Sequence, residues 1–252
     1  MSTAKLNTSA EPKADETLKA AIFNANDSME GFEDINGSTM AIPFVRILQK
    51  LSPQLNKQKQ EYIDGAEEGD WLNSTTKEVY GPSVNVVVLK FEHIYIEWKP
   101  NRGGFVGYHT PENAERLAID TTFGNWKTKE GNELAETYVY MALVEGHEAE
   151  GLVVLSFASS AIKVAKEWNR LMTTHIMDDG QKAKPYYLVW NLSTDYKEND
   201  QGSWYNPKVK FLRYIDERQY SLAGQERKML PSKKVDYAQI EGKSTSIDST
   251  DF

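Results

Sequence analysis

The chain contains no cysteine. Disulfides, thiolate metal sites and cysteine nucleophiles are thereby excluded, and a reducing intracellular setting fits. Histidine is scarce as well. His93, His109, His147 and His175 are the only four, and no two have the short spacing of a metal-ligand pair. Each reads as a surface or strand histidine, and no metal or other cofactor is expected. Long apolar runs are missing: stretches such as Val86–Leu89 are strand-sized rather than membrane-spanning. The N-terminus shows no charged start followed by an apolar segment, so secretion is not expected and a cytoplasmic location is. No phosphate loop, HExxH pair, nucleophile elbow or kinase signature occurs, and no enzymatic activity is expected.

Positive charge is in short supply overall, with a formal net charge of -8, but it is unevenly placed. Residues 1–40 hold three basic side chains against seven acids, and residues 101–150 hold four against nine. Residues 151–214 hold nine against six, a net of +3. An acidic chain that binds a polyanion has to concentrate its cations in this way, because long-range repulsion slows encounter and salt weakens phosphate contacts steeply.

Aromatic residues concentrate in the same stretch. Tyr186, Tyr187, Trp190, Tyr196, Trp204, Tyr205, Phe211 and Tyr214 fall between positions 186 and 214, with Lys197, Lys208, Lys210 and Arg213 among them and Lys182 and Lys184 just upstream. Flat rings stack on unpaired bases while cations neutralise the phosphates between them, so the pattern suggests a groove for single-stranded nucleic acid. The competing explanation is structural: aromatics in strands pack in cores, and lysines of the other parity form a solvated face.

The ends read as arms. Residues 1–38 are polar and acidic, with too little apolar surface to offset the entropy of ordering, and residues 231–252 are similarly rich in Lys, Asp, Ser and Thr. Between them, residues 39–230 form one domain whose periodicity is mainly two. Val84–Lys99 is too long and too β-branched for a helix, and reads as a long strand bent or bulged near Glu92–His93. Thr137–Glu145 pairs with Leu152–Phe157 across the turn Gly146–Gly151. Pro185–Leu192 pairs with Ser203–Tyr214 across a polar excursion, Ser193–Gly202.

One helix is predicted after Ser159 or Ser160 as cap, with Ala161, Ile162, Ala165, Trp168, Leu171 and Met172 at three- and four-residue steps. Lys163, Lys166 and Arg170 form a stripe on another face. A second helix is predicted from Glu217 to Leu230. The fold class is therefore mainly β, or α+β, with one or two helices, and an OB-like barrel is the natural host for a stacking groove.

Three further segments invite a functional explanation. The acidic turn Asp64–Asp70 lacks the full ligand order of a calcium loop and reads as a solvated turn, with a divalent-cation site as the second reading. Arg102-Gly103-Gly104-Phe105 is either a hairpin turn or a flexible tip that carries Arg102 and Phe105 to a nucleic acid strand. The terminal Ser246–Phe252 is a polar tail with two acids and a final aromatic, of a kind that docks on partners or competes with DNA.

Four blocks, IPFVRILQKLSPQ (Ile42–Gln54), YIDGAEEGDWLNSTTKEVYG (Tyr62–Gly81), YIEWKPNRGGFVGYH (Tyr95–His109) and SSAIKVAKEWNRLM (Ser159–Met172), resemble phage-encoded single-stranded DNA-binding proteins of podovirus type. Some of these also assist a phage RNA polymerase. The resemblance implies an OB-like fold, stoichiometric coating of single-stranded DNA, no catalysis, and partners in phage replication, recombination or early transcription within the host cytoplasm. The weakly acidic C-terminus departs from the tail that recruits replication partners.

The leading expectation is a sequence-tolerant single-stranded DNA-binding protein. Trp98, Trp190, Trp204 and Tyr205 are the candidate stackers, with Phe105 beside them. Arg102, Lys163, Lys166, Arg170, Lys208 and Lys210 are the candidate phosphate contacts. The rivals are a transcription cofactor that recruits a phage RNA polymerase through the arms, a virion or assembly protein, and, as the enzyme alternative, a nuclease.

Overall fold

The computed structural model describes residues 42–122, 126–200, 202–230 and 235–240. The arm expected over residues 1–38 lies outside them, as do residues 231–234 and 241–252 of the expected tail. The strands in chain order are β1 (Val45–Ile47), β2 (Trp71–Asn73), β3 (Val79–Gly81), β4 (Ser83–Trp98), β5 (Phe105–His109), β6 (Ala118–Asp120), β7 (Lys127–Thr128), β8 (Glu133–Val144), β9 (Leu152–Ala158), β10 (Leu188–Asn199) and β11 (Gly202–Tyr214). Three α-helices accompany them among the described residues: α1 (Pro111–Leu117), α2 (Ile162–Thr174) and α3 (Glu217–Met229). The chain is therefore mainly β with helices, the class its periodicity predicts.

Strand β4 is the spine. It runs for 16 residues, pairing along its first part with β10 and along most of its length with β8. Its run of β-branched residues suits a strand buried on both faces rather than one. The predicted irregularity is present but sits earlier, where the β4–β8 register shifts between Val88 and Lys90. An inserted residue reverses the alternation of side chains beyond it. Val84, Val86 and Val88 accordingly join one core cluster, while Ile94, Ile96 and Trp98, of the same parity, join the other.

The pairs β8–β9 and β10–β11 form as predicted, both antiparallel. The polar excursion Ser193–Gly202 is not a loop. Backbone pairing continues to Asn199 opposite Gly202. Residues 196–200 are exposed, so this end of the hairpin projects beyond the core and carries polar residues without breaking the ladder.

The principal sheet has the order β11-β10-β4-β8-β7-β6, with β5 added to β4 and β9 to β8. A small sheet, β1-β2-β3, docks beside β9 through a parallel bridge between Phe44 and Val154, where Val154 N donates to Pro43 O at 2.8 Å. No ladder joins β9 or β1 to β11 among the described residues, so the expected barrel is not closed by backbone pairing. The Gln49 side chain spans the gap: its Nε2 donates to Tyr205 O at 2.9 Å, and Tyr205 N donates to its Oε1 at 2.8 Å.

Helix α2 packs Ala165, Trp168 and Met172 into the first core cluster. Trp168 lies 4.4 Å from Tyr140 and 6.1 Å from Trp190 by ring centroids. Neither expected serine caps this helix. Ser159–Ala161 forms a 3-10 turn, and no side chain bonds to the first amides of α2. Helix α3 has a reciprocal cap instead: Gln219 N donates to Asp216 Oδ1 at 2.7 Å, and Asp216 N donates to Gln219 Oε1 at 3.2 Å. Helix α1 was not foreseen; Pro111 at its first position and Thr110 as its cap start it.

Residues 235–240, within the expected tail, pack on the second cluster together with Ala223 of α3. Tyr237 is buried there, donates its hydroxyl to Glu92, and lies 4.4 Å from the Tyr108 ring. Among the described residues, no helix is long and apolar enough to cross a membrane.

Candidate nucleic-acid interface

An open groove of about 670 Å³ runs between the start of β8 and the start of α2. Leu134, Ala135 and Glu136 of β8 line it, with Tyr95 of β4, Trp126, and Arg102 from the β4–β5 connection. Ser159, Ser160, Ile162, Lys163 and Lys166 complete it. Three of the predicted phosphate contacts, Arg102, Lys163 and Lys166, thus come together from distant parts of the sequence.

Tyr95 and Trp126 stack at 4.8 Å between centroids, with 29° between their planes. Tyr95 is buried and Trp126 half-buried. Trp126 packs on the small cluster of Tyr95, Ala114 and Leu134 and keeps part of its ring exposed at the groove. Burial, followed by Glu136 and Glu115, raises the Tyr95 hydroxyl above its usual pKa. Burial, again followed by Glu136, pushes Tyr138 up to about 12. Both phenols therefore stay neutral and add no negative charge beside the groove.

The cations are partly engaged. Arg102 Nε is 3.1 Å from Glu133 Oε2, and its guanidinium lies 5.9 Å from the Trp98 ring centre. Lys166 Nζ is 3.8 Å from Glu136 Oε1 and 5.9 Å from the Tyr138 ring. Glu136 also meets His93 Nε2 at 3.1 Å. Lys163 is exposed and has no ion-pair partner among the described residues. The 3-10 turn Ser159–Ala161 on the same wall runs directly into α2, with Ile162 N donating to Ser159 O.

A second cationic row follows β11. Trp204, Asn206, Lys208 and Lys210 alternate along one face, with Lys197 opposite Trp204. Asp195 draws Lys197 to 2.8 Å and Lys208 to 3.8 Å. Ser160 Oγ donates to Asn206 Oδ1 at 2.8 Å, which ties this row to the edge of the groove.

Several predicted stackers are placed elsewhere. Trp190 is 1% exposed and Trp98 5%, one in each core cluster, so neither can offer a ring to a base. The pattern that nominated them is the one that fills cores: Trp190 lies on a central strand beneath α2, and Trp98 ends the spine. Phe105 packs edge-on against Trp98 at 5.8 Å. The Tyr205 ring lies against Gly69, where an added Cβ would come within 2.8 Å of it. Trp204 is half-buried on the β11 row. Arg170 is held by Glu167 on α2 at 2.5 and 2.8 Å and does not line the groove.

The sequence reading missed Tyr95 and Trp126. Trp126 lies within residues 101–150, which hold four basic side chains against nine acids, so no local positive charge marks it. Only its position between the polar segments before β7 marked it as an aromatic without a strand to fill.

The family model described as Pam3 phage gp34-like protein matches residues 13–236. No curated protein and no solved structure matches the chain. A match over that much of the sequence agrees with the phage origin implied by the resemblance of its blocks, and the chain belongs to the Pam3 phage gp34-like protein family.

Proposed function

We propose that the protein binds single-stranded nucleic acid, with DNA as the ligand the resemblance implies, and does so without catalysing a reaction. The observation that carries this reading is the convergence of Arg102, Lys163 and Lys166 with the Tyr95–Trp126 pair in one groove of a net-negative chain. A base stacks on the exposed part of the Trp126 ring, and its flanking phosphates are neutralised by Lys163 and Lys166. Arg102 exchanges Glu133 for a phosphate.

The strand order supports the same reading. Leaving aside the short strands, β4, β8, β9, α2, β10 and β11 follow one another, with β4 paired to both β8 and β10. That is the Greek-key order of an OB-like barrel, in which oligonucleotides cross the second and third strands between the first connection and the last hairpin. The corresponding parts here are β8, β9, the connection bearing Arg102 and Trp126, and the β10–β11 hairpin bearing Trp204.

Titrating oligo-dT into the protein while following tryptophan fluorescence tests this. Trp71, Trp98, Trp168 and Trp190 are buried, so direct quenching comes from Trp126 and Trp204. Saturable quenching by oligo-dT, with much less by equal duplex, is expected. No quenching and no retention of labelled oligonucleotide on filters at low salt would reject the proposal.

A further inference from the structure

Glu78 precedes β3, whereas His147 and Glu150 lie in the turn between β8 and β9, yet their ligand atoms all fall within 4.8 Å of one another. His147 Nδ1 is 3.4 Å from Glu78 Oε1 and 3.6 Å from Glu150 Oε1. An imidazole that simply pairs with a carboxylate comes closer, as His109 does to Glu97 at 2.7 Å. Two ligands on one metal behave differently. Bonds of about 2.1 Å at a tetrahedral angle place neighbouring ligand atoms about 3.4 Å apart.

The surroundings fix these groups. Asn73 is fully buried; its Nδ2 donates to Glu150 Oε2 at 2.6 Å, while its Oδ1 accepts from Thr75 N and Thr76 N at 2.9 and 3.1 Å. The Tyr80 hydroxyl donates to the same Glu150 oxygen. One oxygen of Glu150 is thus fully occupied and the other is turned to the imidazole. The Tyr80 ring also meets the His147 ring edge-on at 4.7 Å and 66°. Donors that orient a ligating carboxylate and a ring that orients a ligating imidazole are what a metal site requires around its ligands. Side-chain exposures of 48% for Glu78, 32% for His147 and 12% for Glu150 leave a way in for an ion.

We propose that Glu78, His147 and Glu150 bind one divalent transition cation of the zinc class, with water as the fourth ligand. Imidazole with two carboxylates suits Zn²⁺ better than Mg²⁺, which prefers oxygen ligands in an octahedron. Bound there, the ion ties the start of β3 to the β8–β9 turn, and so the small sheet to the principal one. The site is separate from the groove and does not depend on nucleic acid binding.

The test is calorimetric titration of the tag-free full-length chain with zinc sulfate and, separately, magnesium chloride, alongside thermal melts. One zinc per chain, a higher melting temperature with zinc, and no comparable response to magnesium are expected. His147→Ala and Glu78→Gln should each weaken zinc binding about tenfold or more and abolish the thermal shift, while His175→Ala, outside the cluster, behaves as wild type. Should His147→Ala fail to fold by circular dichroism, Glu78→Gln decides, since that side chain is half-exposed. Absence of saturable zinc binding by the folded wild-type chain, or unchanged binding by Glu78→Gln, overturns the proposal.

Discussion

The side-chain amide of Gln49 forms both hydrogen bonds with the backbone of Tyr205 that a neighbouring strand would form, at 2.9 and 2.8 Å. One side chain therefore does the work of a ladder between the segment after β1 and β11. Gln49→Ala leaves the Tyr205 amide and carbonyl without these partners, and should cost about 1–3 kcal/mol of stability. Urea unfolding of the two proteins, compared at equal m-value, measures it.

Gly69 holds the other side of Tyr205. Its φ of +91° is one that residues with a side chain rarely adopt, and a Cβ there would meet the Tyr205 ring at 2.8 Å. Gly69→Ala is expected to destabilise the fold by roughly 1–3 kcal/mol through backbone strain and displacement of the ring. A fall in the urea midpoint checks this, and an unchanged midpoint would show that the loop relaxes freely.

Trp190 and Trp126 should behave as opposites. Removing the buried Trp190 leaves a large cavity beneath α2, and Trp190→Ala is expected to cost about 3–5 kcal/mol of stability. Trp126→Ala removes a half-buried ring, and is expected to weaken oligo-dT binding by about 1–3 kcal/mol with a smaller effect on folding. Denaturation curves and binding isotherms for both variants separate the two roles.

The groove cations have a salt signature. Each phosphate contact to a single strand adds roughly 0.7 to the slope of log affinity against log salt. The double variant Lys163→Ala, Lys166→Ala should therefore lower that slope by roughly 1.4, whereas Arg170→Ala leaves it nearly unchanged because Arg170 does not line the groove. Titrations across a range of salt concentrations give the slopes.

Much of the fold was legible because period-two runs and turn residues are local signals. The β8–β9 pair, the β10–β11 pair and the helix carrying Trp168 follow from them. Faces were less legible. A single inserted residue at Leu89 sends Val88 and Ile94 to opposite sides of the sheet, and nothing in the alternation marks its position. The site was legible where it depended on cations at helical spacing, since Lys163 and Lys166 must share a helix face. Its rings were not. Density of aromatics pointed to Trp98 and Trp190, which the core consumes, while the Tyr95–Trp126 stack joins residues 31 positions apart in sequence. Local composition carries no trace of such a pairing.

Photo-crosslinking to a single-stranded oligonucleotide substituted with 5-iodouracil, followed by peptide mapping of the adduct, locates the bound strand on the protein. The groove proposal predicts an adduct on Trp126 that unlabelled single strands suppress and Lys163→Ala, Lys166→Ala diminishes. Adducts confined to surfaces away from Trp126, Lys163 and Lys166, or none at all, would contradict it.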